Sequence, residues 1–182
     1  MKDRRQDIIN ASLAVLKASG YAGFTQPRVA AEVGLRQSHL TYYFPTRGDL
    51  LAAVARVAID RQLVAVDSIL ATASVREAAK AIANVAVRHE NTRVIMALVQ
   101  AADQEPALRE LFRELADGII VRAGKLLTNL NIEPTDERCY QVHSMSVGMA
   151  VIDLATARKN GERRAARTLE AALTSMKKGE VR

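Results

Sequence analysis

Arg36, Gln37, Ser38, His39, Thr41 and Tyr42 place six polar or amphipathic side chains within seven consecutive positions of this 182-residue chain. Arginine and glutamine can each bond two atoms of a guanine or adenine edge, and a threonine methyl fits against that of thymine. Arg36, Gln37 and Thr41 are therefore a set able to read bases in a major groove. Thr25, Tyr43 and Arg47 flank them with two hydroxyls and a guanidinium. Such groups suit phosphate oxygens, which fix register but carry no sequence information. Other chemistries have no signature in the chain: it contains no G-x-S-x-G elbow, P-loop or G-x-G-x-x-G turn. The three histidines and Cys139 never fall at metal-ligand spacing, and Arg93 stands where a second histidine would have to follow His89-Glu90. The expectation is a binding protein with no catalytic residues, no metal and no cofactor.

Side chains meant for a groove need a short helix presented at a steep angle, and the neighbouring residues provide one. Thr25 can cap a helix with Pro27 in its first turn, where a missing N–H costs nothing, and Val29, Ala30 and Val33 form its apolar face. Gly34 can take a left-handed turn without a Cβ penalty. A second helix then runs from about Gln37 to Tyr43 and turns mainly Leu40 and Phe44 inward. This is a helix-turn-helix. Upstream, Ile9, Leu13 and Leu16 repeat at helical spacing over about Arg4 to Ser19, and Gly20 ends that helix before Tyr21 and Phe24 fold back on it. Downstream, Thr46-Arg-Gly-Asp49 is a variant capping box that opens a long helix carrying Leu50, Leu51, Val54 and Val57.

Gly20, Tyr21, Thr25, Ala30, Gly34, Leu35, Leu40, Tyr43, Phe44, Arg47 and Leu50 follow one another in an order and spacing that resembles the TetR family of bacterial transcriptional regulators. The likeness covers the first third of the chain and departs from the common pattern at Arg36 and Thr41. It implies phosphate contacts by Tyr43 and Arg47, dimerisation through the last two helices, and a small-molecule pocket in the remainder of the chain.

That remainder shows no strand-like alternation, so the expected fold is all-α. A three-helix head (residues 1–50) is joined by a connector helix, fading near Ala71, to a helical ligand-binding and dimerisation bundle (residues 51–182). Ser74-Val-Arg-Glu77 caps a helix through about His89, and Asn91 or Thr92 opens another. Pro106 starts one ending near Asn131, Thr135 or Asp136 caps one to Lys159, where Asn160-Gly161 marks a stop, and a last helix covers about 162–178. The last two are rich in small residues, among them Ser144, Gly148, Ala150, Ala165 and Ala172, which let helices approach closely. His89, Met96, Gln100, Tyr140, His143, Met145 and Met149 are candidate lining for an effector site, methionine being adaptable and such a cavity needing few polar groups.

Net charge is +6, with +3 over residues 1–50 (seven Lys/Arg against four Asp/Glu) and +5 over residues 158–182 (eight against three). A basic head attracts phosphate, whereas the basic tail reads as a solvated helix face. The single cysteine, the absence of a secretory signal after Met-Lys-Asp-Arg-Arg and the lack of a long apolar run suggest a cytoplasmic protein without a membrane partner. Together these features suggest a homodimeric regulator bound to a palindromic operator in double-stranded DNA. Repression released by a small, largely apolar effector is its expected mode; the alternative is a small-molecule-binding or adaptor protein of the same fold without DNA recognition.

Overall fold

The computed structural model describes residues 3–179, apart from the side chain of His89. Within them lie nine helices and no strand: α1 (Arg4–Ser19), α2 (Gln26–Glu32), α3 (Gln37–Tyr43), α4 (Arg47–Asp67), α5 (Val75–Ala86), α6 (His89–Ala101), α7 (Pro106–Asn129), α8 (Asp136–Thr156) and α9 (Gly161–Lys178). The all-α architecture is the expected one. No helix among the described residues is long and apolar enough to cross a membrane.

One compact unit runs as far as Asp60 and also includes Arg93–Arg113. Ile8, Leu16, Phe24, Val29, Leu40, Phe44, Leu50, Leu51 and Val54 are fully buried in it. The seven-residue helices α2 and α3 are too short to persist alone, so burial of these side chains, roughly 1.5–3 kcal/mol each, has to hold them. Thr25 Oγ1 accepts the Arg28 N–H and caps α2. At the other end of α2, Gly34 adopts φ +70°, its N–H reaches the Ala31 carbonyl, and the Leu35 N–H reaches the Ala30 carbonyl. That pair of bonds is a Schellman stop, and it fixes the turn between α2 and α3. The capping box at α4 is formed in both directions: Thr46 Oγ1 accepts the Asp49 N–H at 3.0 Å, and an Asp49 carboxylate oxygen accepts the Thr46 N–H at 3.0 Å.

The second unit holds Arg61–Thr92 and Glu114 onward. Ala78, Ala79, Ile82 and Ala83 of α5 share a core with Ala165, Leu169, Leu173 and Met176 of α9, and Leu126, Leu127, Leu130, Ile132, Cys139 and Val142 complete it. The alanines on α5 let the two helices pack closely. Ser74 caps α5 by accepting the Glu77 N–H, as its box implies. Asp67 accepts a two-pronged bond from Arg122, at 2.7 and 3.0 Å, and this bond holds its carboxyl below the usual carboxylate range.

Several boundaries differ from those read in the sequence. α4 ends at Asp67 and α5 at Ala86, and α6 opens at His89 ahead of Asn91 and Thr92. α8 stops at Thr156, with Ala157 left-handed at φ 45°, and Gly161 begins α9 instead of ending α8. The reason is tertiary. The buried carboxylate of Asp153 lies where a β-carbon on Gly161 would have to sit, and it accepts a 2.9 Å bond from Arg164. Glycine is needed there to let the carboxylate in.

Candidate nucleic-acid interface

Helix α3 is anchored from beneath and left open above. Leu40 within it and Phe44 at its end are fully buried. The Phe44 carbonyl accepts a 2.9 Å bond from the Gln26 side-chain amide, and the guanidinium of Arg5 stacks on the Phe44 ring at 4.5 Å while donating to the Tyr43 carbonyl. Gln26 and Arg5 thus close the C-terminal end of α3, where carbonyls would otherwise lack partners. Neither residue stood out in the sequence, since nothing in its local pattern points across to position 44.

On the outer face, Arg36, Gln37, Ser38 and His39 are all exposed. Among the described residues their side chains make no hydrogen bond or ion pair, so their polar groups are free to engage a partner molecule. Tyr42 is the most exposed large apolar side chain among the described residues, at 83%, and stands edge-on to Tyr43 with ring centroids 5.3 Å apart. Tyr43 is half-buried, and its hydroxyl makes no hydrogen bond among the described residues. Thr41 is half-buried rather than fully outward, and its hydroxyl donates to the Ser38 carbonyl at 3.0 Å. What Thr41 can still offer a base is its methyl group and the acceptor lone pairs of its hydroxyl oxygen.

Arg47 is placed differently from a free surface cation. Its guanidinium stacks on the ring of Tyr21 at 4.3 Å, with Nε donating to the Phe24 carbonyl, Nη1 to the Tyr21 hydroxyl and Nη2 to the Tyr21 carbonyl. Three of its five donors are committed inside the unit. Thr25 is exposed with its oxygen capping α2, and its O–H can still donate outward.

The residues considered for an effector site are divided between the two units. Met145 and Met149 are half-buried against the core of the second unit. His143 is also half-buried, and that burial lowers its pKa below 6.5. Tyr140 is 56% exposed on α8. In the first unit, Gln100 is exposed and Met96 half-buried. The His89 side chain lies outside the described residues. An open groove of about 490 Å³ follows one face of α9 between Arg167 and Lys178, and none of these residues lines it.

Residues 8–54 match the model of the tetR family of bacterial regulatory proteins. No curated protein matches the chain by sequence. Solved structures share its whole fold. A transcriptional regulator from Rhodococcus is 17% identical with a TM-score of 0.85, covering 96% of each chain. A TetR family member from Streptomyces coelicolor is 25% identical with a TM-score of 0.75, covering 93% of this chain and 98% of its own. The multidrug binding protein EbrR, solved with imidazole, is 24% identical with a TM-score of 0.70, covering 94% and 96%.

Proposed function

We propose that this chain, a TetR-family protein with the fold of a transcriptional regulator, represses transcription by binding a palindromic operator as a homodimer, residues 1–50 contacting DNA and residues 51–182 serving dimerisation and effector binding. The observation that carries the reading is the outer face of α3, where Arg36, Gln37, Ser38 and His39 project with no partner among the described residues. In this assignment Arg36, Gln37 and the Thr41 methyl read bases, with Ser38, His39 and Tyr42 beside them, while Thr25 and Tyr43 hold phosphates. The sequence assigned Arg47 to a phosphate as well. Its three inward bonds speak against that role.

Exposed apolar side chains on α8 support the dimer: Tyr140, Val147 and Ile152 are 56, 48 and 63% exposed. A second copy paired through α8 and α9 would cover them and bring two heads to two half-sites. Release by a small, largely apolar effector, in a protein of the cytoplasm, rests on fold analogy with neighbours such as EbrR. The test is selection of duplexes from a random-sequence library by the full-length protein. A two-fold symmetric site is expected. Gln37→Ala should relax preference at one base pair per half-site, costing roughly 1–3 kcal/mol there. If no duplex is retained over bulk DNA, the chain is a ligand-binding or adaptor protein instead.

A further inference from the structure

The corner between α6 and α7 belongs to the same compact unit as the helix-turn-helix, and it meets the residues on either side of that motif at two points. The Tyr21 hydroxyl donates to Gln104 Oε1 at 2.8 Å. The Glu105 carboxylate lies against Gly48 in the first turn of α4, so close that a β-carbon there would stand 2.7 Å from Oε2. Tyr21 is also the residue on which Arg47 is spent. Its hydroxyl accepts from Arg47 Nη1 at 3.0 Å while donating to Gln104, its ring carries the stacked guanidinium, and its carbonyl takes Nη2. Nε of Arg47 continues to the carbonyl of Phe24, a fully buried residue directly before the cap of α2. One connected path therefore runs from Gln104 through Tyr21 and Arg47 to the start of α2, on which the turn and α3 are built.

We propose that Gln104, Tyr21 and Arg47 are positioning residues, forming a latch through which the α6–α7 corner sets the pose of the helix-turn-helix, with Arg47 acting through Tyr21 and Phe24 and not as a phosphate ligand. The inference rests on the DNA-binding reading above and adds what governs that site. A guanidinium is needed at position 47 for its geometry: its plane stacks on a ring while three separate nitrogens donate to spread-out acceptors, whereas an ammonium has no plane to stack and donates from one nitrogen only. The Tyr21 hydroxyl is needed because it is both donor and acceptor in the middle of the path, so its bonds polarise one another.

The experiment measures affinity of the full-length protein for the library-selected duplex across a series of salt concentrations, together with hydrogen exchange of the free protein. Tyr21→Phe and Gln104→Leu both break the Tyr21–Gln104 bond, and Tyr21→Phe also removes the acceptor of Arg47 Nη1. Each should weaken binding, Gln104→Leu by roughly 2- to 10-fold, the range a single hydrogen bond spans, and the double variant should be no weaker than Tyr21→Phe alone. Gln104→Glu, which keeps an acceptor, should bind like the parent. Arg47→Lys keeps the charge and should still weaken binding, with the salt dependence unchanged. In the absence of DNA, Gln104→Leu should speed amide exchange over residues 21–28, far away in sequence. The proposal is overturned if Tyr21→Phe and Gln104→Leu bind like the parent, or if exchange over residues 21–28 is unaltered. It is equally overturned if Arg47→Lys binds like the parent while Arg47→Ala flattens the salt slope by about 0.9 per lost phosphate contact. Gln37→Ala separates the two failures: loss of selectivity there, with latch variants at parental affinity, refutes the latch and leaves DNA binding standing.

Discussion

Gly161→Ala is a substitution for which helix propensity and tertiary structure predict opposite signs. Alanine in place of glycine within a helix is favoured by up to about 1 kcal/mol, so α9 taken alone should gain. In the fold, a β-carbon at 161 would overlap the carboxylate of Asp153, a side chain 7% exposed that pairs with Arg164 at 2.9 Å. The carboxylate has to move. Displacing it forfeits a charge-assisted bond worth about 1.5–3 kcal/mol, discounted toward the lower figure because the Arg164 side chain is 49% exposed. It also removes an anion from the start of α9, about another 0.3–1 kcal/mol. Set against the propensity gain, the expected result is a loss of about 1–2 kcal/mol, or roughly 2–8 °C in Tm for a chain of this size. Thermal denaturation followed by circular dichroism, at fixed protein concentration because the Tm of the proposed dimer would depend on it, reads this directly. In an Asp153→Ala background the same change should cost nothing or stabilise, since the overlap is gone. A Tm equal to or above that of the parent for Gly161→Ala alone would refute the reasoning.

Gly148→Leu tests the dimer cleanly, because a β-carbon at Gly148 meets nothing within 4 Å in the chain itself, whereas Ala150 is buried and its enlargement would disturb the core. Light scattering across micromolar concentrations should show weaker self-association for Gly148→Leu with an intact fold, and an unchanged mass would remove α8 from the seam. Burial lowers the pKa of His143 below 6.5, so the folded state favours its neutral form. Its contribution to stability is complete above about pH 6.5 and is lost as the pH falls through the folded value. His143→Gln should therefore flatten the fall in Tm between pH 7.5 and 5, and an unchanged slope would exclude this histidine as a source. Thr46→Ala removes the hydroxyl that accepts the Asp49 N–H and should cost about 1 kcal/mol in urea denaturation. Combined with Asp49→Ala, the loss should fall short of the sum of the two single effects, because both belong to one capping box.

The local features of the head were legible in the sequence because each rests on contacts within a few residues. The Thr25 cap, the left-handed Gly34, the Thr46–Asp49 box and the inward pair Leu40 and Phe44 depend on backbone conformation and helical period, which neighbouring residue types dictate. The outer face of α3 was legible for the same reason, since anchoring through Leu40 and Phe44 leaves Gln37, Ser38, His39 and Tyr42 exposed, while Thr41 and Tyr43 are half-buried. What local pattern could not supply were the partners of long side chains. Arg47 looked like a surface cation at a helix start, and only packing revealed the ring of Tyr21 under it and the carbonyl of Phe24 at its tip. Asn160-Gly161 looked like a helix stop because glycine commonly ends helices. There the deciding fact was the carboxylate of Asp153, which needs room that no local pattern records. The bonds from Gln26 and Arg5 to the end of α3, and from Tyr21 to Gln104, join residues 18 to 83 positions apart. Period, capping and turn chemistry act over a handful of residues and so were written in the sequence itself. Which side chain a flexible arginine or a buried carboxylate meets depends on which distant segments the core brings together, and only the tertiary structure decides that.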